Sequence, residues 1–147
     1  MWSWGRNSYG QLGLGDTLNR NLQTLINIDK DWIGIAAHQS NNLAIKSDRT
    51  LWAWGLNKYG ELGLGDNIQK NVQTKIGNDN NWVIVAAGGT FSLELKSNGT
   101  LWGWGDGFIG HLGNGSNVPK QIGNANQWVS TTSGYFHSFG IMADGSL

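Results

Sequence analysis

The chain is 147 residues long, enough for one domain with a real core, and its ten lysines and arginines balance its ten aspartates and glutamates. Zero net charge, with the basic residues scattered, argues against a nucleic-acid surface, and no apolar run reaches membrane-spanning length. The absence of cysteine excludes disulfides, thiolate metal sites and cysteine nucleophiles, while 23 glycines against one proline point to turns built from Gly, Asn and Asp.

In chain order, the first expected element is a strand over Met1-Trp2-Ser3-Trp4-Gly5, with both indoles on one face. It returns as Leu51-Trp52-Ala53-Trp54-Gly55 and as Leu101-Trp102-Gly103-Trp104-Gly105. A glycine loop follows each copy, from Ser8 to Gly13, Lys58 to Gly63 and Phe108 to Gly113. Trp32 recurs as Trp82 after 50 residues and as Trp128 after 46, because the third copy lacks four residues near Ser116. The chain therefore reads as one domain of three repeats, 1–50, 51–100 and 101–147. Periods of about 40 to 50 residues belong to solenoids or propellers.

The middle copy predicts four strands. Leu51–Gly55 alternates, and Leu56–Asp66 is a glycine-studded loop. Asn71–Ile76 is a short polar outer strand, and Gly77–Asn81 is a turn. Trp82-Val83-Ile84-Val85-Ala86-Ala87 is apolar throughout, which suits a strand covered on both faces near a crowded axis. Phe91, Leu93 and Leu95 then alternate with Ser92, Glu94 and Lys96 before the hairpin signal Asn98-Gly99. Four short strands without helical periodicity describe a propeller blade, so the fold class is all-β, built from four-stranded antiparallel blades.

The string from Leu51 to Asp66, Leu-Trp-x-Trp-Gly-x-Asn-x-Tyr-Gly-x-Leu-Gly-x-Gly-Asp, resembles the signature of the regulator of chromosome condensation repeat. So do Val85–Gly88 and Ser92–Gly99, and the resemblance extends over all three copies. It implies a β-propeller. Rings of that family usually have seven blades, so three repeats are less than half a ring.

If the Val-Ala-Ala strand is innermost, the chain opens halfway through a blade. Residues 1–27 are then an outer half-blade and Trp128–Leu147 an inner one, with two complete blades between. Such a cut leaves strand edges unpaired and Trp2, Trp4 and Trp128 short of partners. Burying one Trp is worth about 4–6 kcal/mol as an upper estimate. Trp2, Trp4, Trp128 and Leu147 are thus the expected assembly residues. Two chains closing head to tail would make six blades, within the usual range of four to eight. The competing expectation is a piece of a seven-bladed regulator such as a small-GTPase exchange factor.

Gly10-x-x-Gly13-x-Gly15 looks like a phosphate loop, but no helix follows it, so it reads as a structural turn. His38, His111 and His137 fall at three different repeat positions and form no recurrent metal set. Asp16 and Asp66 read as turn caps. No catalytic constellation, metal site or cofactor site stands out. The repeats disagree at loop positions: Arg6, Lys58, Asp106 and Phe108 in one loop, Tyr135 and Phe136 in another. These are the candidate binding residues of the rim. The expected function is a non-catalytic scaffold that binds a protein partner and assembles as a homodimer. A carbohydrate-binding propeller is the alternative, and no contact with nucleic acid or membrane is expected.

Overall fold

The computed structural model describes residues 1–147 apart from Ile28 and residues 108–114. All of its regular structure is β. The strands are β1 (Trp2–Gly5), β2 (Arg20–Leu25), β3 (Trp32–His38), β4 (Asn41–Lys46), β5 (Leu51–Gly55), β6 (Lys70–Lys75), β7 (Trp82–Ala87), β8 (Phe91–Lys96), β9 (Leu101–Gly105), β10 (Lys120–Gln121), β11 (Trp128–Ser133) and β12 (Ser138–Met142). They form two four-stranded antiparallel sheets, β3-β4-β5-β6 and β7-β8-β9-β10, flanked by the pairs β1-β2 and β11-β12. Two complete blades thus stand between an outer and an inner half-blade, as the repeat register predicts.

Each hairpin turn between the second and third strands of a blade follows from its sequence. Gly99 takes φ 76° in the Asn98-Gly99 turn, and Arg49 adopts φ 64° at the same place in the preceding blade. The third turn is already folded at Asp144-Gly145, where the Gly145 N–H donates to Met142 O as that of Gly99 does to Lys96 O.

The apolar layer between the complete blades joins Leu43, Ile45, Leu51 and Ala53 of the first to Trp82, Ala87 and Trp104 of the second. A second layer, around Phe91, Leu93, Leu95 and Leu101, is covered by Trp128 of the inner half-blade. Both faces of β8 are therefore covered. That is why all six of its residues are buried, although the alternation of polar and apolar side chains suggests one solvated face. The strands β3, β7 and β11 lie side by side as the inner strands.

Long loops tie each blade to the next. The Gly15 N–H donates to Asn71 O, and the Gln73 side-chain amide donates to Gly13 O. Within the loop, the buried Asn57 side chain donates to Asp66 and accepts from the Leu62 N–H. Asp66 also accepts from the Ile68 N–H and pairs with Lys70, and these contacts hold its carboxyl below the usual range. The equivalent Asp16 pairs with Arg20 and is lowered in the same way. The loop aspartates are caps, as expected.

Candidate functional site

Two surfaces stand out. The first lies where the turns that follow the inner strands meet. The rings of His38, at the end of β3, and Tyr135, after β11, lie 5.6 Å apart edge to face. Phe136 packs on Tyr135 at 4.2 Å. The Gly89 N–H of the intervening blade points at Tyr135 O at 3.4 Å, so all three turns touch. A side chain at Gly89 would run into the Tyr135 ring. Tyr135 and Phe136 are nonetheless exposed, and Gln39, which follows His38 in the chain, holds φ at 37°. His38 Nδ1 is buried with no hydrogen-bond partner among the described residues.

The other predicted rim residues are distributed differently. Arg6 and Lys58 are exposed, and each lies over the tyrosine of its own loop, Tyr9 at 5.9 Å and Tyr59 at 5.2 Å. Asp106 is half-buried, and its N–H donates to Thr90 O in the turn of the same blade. Phe108 and His111 lie outside the described residues. The aromatic pair Tyr135–Phe136 thus belongs to the axial turns, whereas the charged residues sit on the long loops.

The second surface is the pair of open half-blades. Trp2 and Trp4 are 60% and 59% exposed, whereas Trp54 and Trp104, which match Trp4 in the complete blades, are 2% and 0% exposed. Trp2, Trp4, Ile35, Ala37, Asn42 and Trp54 line a cleft of about 210 Å³ beside the two-stranded β1-β2 pair. On the inner half-blade, Phe139 and Ile141 are 52% and 42% exposed, although Leu43 and Ile45, at the same repeat positions, are 0% and 1% exposed. Trp128 departs from the expectation of an uncovered indole. It is half-buried, because β11 already packs on β7 and β8. Only the far face of that half-blade is open. Leu147 is exposed and shares with Met1 the register position held by Leu51 and Leu101.

Two buried acids escape a reading of residue types alone. Glu94 is fully buried between Val85 and Trp102, and neither of its carboxyl oxygens has a hydrogen-bond partner among the described residues. Burial pushes its carboxyl well above the usual range. Glu61 is also buried and raised, although one oxygen accepts the Tyr59 N–H. The signal for Glu94 was present in the repeat comparison, where Ala44 and Gly140 occupy its position.

Comparison with known proteins agrees with this architecture. The family model described as regulator of chromosome condensation (RCC1) repeat matches residues 1–45 and 48–95. No curated protein matches the chain. Among solved structures, human WBSCR16 superposes with a TM-score of 0.84 at 22% identity, over 97% of this chain and 40% of its own. Yeast RCC1 (Prp20), solved bound to Kap60, gives 0.82 at 22% identity, over 97% of this chain and 37% of its own. Prp20p from Saccharomyces cerevisiae, described with its binding to Gsp1p and histones, gives 0.80 at 24% identity, over 95% of this chain and 38% of its own. The chain spans about two-fifths of the length of each of these structures.

Proposed function

The chain belongs to the regulator of chromosome condensation (RCC1) repeat family, and on that premise we propose that it is a non-catalytic protein-binding scaffold completed head to tail by a second copy. The observation that carries the assembly is the match between its two open surfaces. In the complete blades, Leu43 and Ile45 pack against Trp82, Ala87 and Trp104. The repeat register puts Phe139 and Ile141 in the place of the first pair, and Trp32, Ala37 and Trp54 in the place of the second set. A β11-β12 pair from one copy added to the β1-β2 edge of another would rebuild this layer without any new type of contact. Two such equivalent junctions close a ring of six blades.

The axial turns are the surface proposed to meet a partner. Yeast RCC1 (Prp20), which shares the fold, is seen bound to a protein, Kap60. An exposed Tyr135–Phe136 pair held by His38 is a rigid aromatic anchor of the kind that dominates protein interfaces.

Light scattering tests the assembly. A single species near twice 16.0 kDa is expected, and a well-behaved monomer at micromolar concentration rules out the second copy as the completing partner. In that case the half-blades would be completed within a longer chain, as in a seven-bladed ring. The docking surface is tested by replacing Tyr135 and Phe136 with Ser. Captured partners should be lost while the melting temperature changes little.

A further inference from the structure

Each complete blade contains the same clamp. Trp32 is paired across the sheet with Lys46, and Trp82 with Lys96. The Lys46 ammonium lies 4.8 Å from the Trp32 ring and 5.0 Å from the Trp52 ring. That of Lys96 lies 4.6 Å from Trp82 and 3.8 Å from Trp102. Each lysine also pairs with an acid on the preceding turn, Asp29 for Lys46 and Asp79 for Lys96. The second tryptophan of each clamp donates its indole N–H to a turn hydroxyl, Trp52 to Thr50 at 2.9 Å and Trp102 to Thr100 at 2.8 Å.

At the open half-blade two of these parts are changed together and one is retained. The residue paired with Trp128 is Met142, and the place of Asp29 and Asp79 is taken by Ala125. The hydroxyl is kept. Ser146 Oγ bonds Asp144 Oδ1 at 2.7 Å, as Thr50 bonds Asp48 and Thr100 bonds Asn98. In the complete blades the third element of the clamp is supplied by β5 and β9, and the β1 residue at that position is Trp2, exposed at the other end of the chain.

We propose that Trp128, Met142 and Ser146 form a preformed slot for the Trp2 indole of a second copy, and that Met142 sets the specificity of this junction. This rests on the head-to-tail reading above. A lysine in the slot would be exposed in the free chain and stripped of water on docking, with no carboxylate at residue 125 to receive it. A thioether is neutral, flexible and favourable against aromatic rings, so it fills the same space without that penalty. Ser146 then accepts the Trp2 indole N–H, as Thr50 and Thr100 accept theirs. The loss of lysine and acid together, with retention of the hydroxyl, suits a junction between separate chains.

Sedimentation equilibrium on four full-length chains tests this: the wild type, M142K, M142L and the double variant M142K/A125D. The wild type and M142L should both be dimers. M142K should raise the dissociation constant about tenfold or more, and adding A125D should recover part of the loss by rebuilding the ion pair. Far-UV circular dichroism of M142K should match the wild type, because the residue lies at a half-buried edge of the sheet. A monomeric wild type overturns the head-to-tail reading itself. A dimeric wild type with an equally tight M142K leaves that reading standing and overturns the role of Met142. An M142L chain as weak as M142K overturns it too, because the charge would then not be the cause.

Discussion

The ammonium of Lys96 lies 3.8 Å from the ring centroid of Trp102, and its side chain is 8% exposed while that of its acidic partner Asp79 is 57% exposed. The aromatic contacts, not the ion pair, are the buried half of this arrangement. A cation held over an indole away from water is worth about 2 kcal/mol, whereas a solvent-facing ion pair contributes about 0–1 kcal/mol. Lys96→Met keeps most of the stem and should lower the unfolding free energy by about 1–2 kcal/mol in urea titration. Asp79→Ala should lower it by less. If the two effects came in the reverse order, the carboxylate would be what holds the lysine.

Glu94 should act against stability as pH rises. Its folded-state pKa is raised by burial, so the folded chain holds the proton more tightly than the unfolded chain does. The stability linked to this proton is fully present below the unfolded carboxyl pKa and is lost as pH rises through the folded one. Glu94→Met removes an unpaired buried polar group at similar volume and should stabilise the chain by about 1–3 kcal/mol. The gain should grow as pH is raised from the ordinary carboxyl range towards and beyond neutrality. Thermal melts across that range provide the measurement, and a gain that shrinks with pH would contradict the assignment.

The blade order and the half-blade cut were legible in the sequence because the three repeats align nearly position by position, and Trp-x-Trp-Gly, with the inner strands that open on Trp32, Trp82 and Trp128, marks the strands in each. The burial of Glu94 was legible only from Ala44 and Gly140 at the same repeat position, not from its own strand. Its strand alternates polar and apolar residues, and local pattern cannot tell a solvated face from one covered by the next blade. The Tyr135–His38 contact was invisible for a related reason. It joins the first and third repeats because the turns after the inner strands converge, whereas a repeat comparison aligns equivalent positions and says nothing about which different positions meet. The charged rim candidates Arg6 and Lys58 varied between repeats as Tyr135 does, yet they stack on their own loops.

The two kinds of tryptophan should respond differently to truncation. Trp82 is 1% exposed between the complete blades and meets Trp102 and Trp104 edge to face with centroids 6.0 and 6.2 Å away. Trp82→Ala should cost about 3–5 kcal/mol. Trp2, 60% exposed, should tolerate the same change with little loss in the stability of the isolated chain but with loss of the proposed dimer. Chemical unfolding at low concentration, paired with light scattering at high concentration, separates the two. A Trp2→Ala chain that dimerises normally would exclude the outer half-blade from the junction.

Gly63 and Gly77 offer an internal control on what the glycine loop is for. Both have positive φ, 70° and 54°. An alanine at Gly77 would meet no atom within 4 Å, so only the backbone term applies, about 1–2 kcal/mol. At Gly63 the added carbon would fall 2.6 Å from Trp104 Nε1, the group that donates to Glu61 O at 3.0 Å. The indole must then shift within a buried layer, adding about 1–3 kcal/mol for overpacking and weakening its hydrogen bond. Gly63→Ala should therefore destabilise by about 2–5 kcal/mol, clearly more than Gly77→Ala, in urea unfolding followed by tryptophan fluorescence. A loop whose glycines served only to cradle a phosphate would show just the backbone cost at Gly63, as at Gly77, so equal effects at the two positions would argue against the packing role.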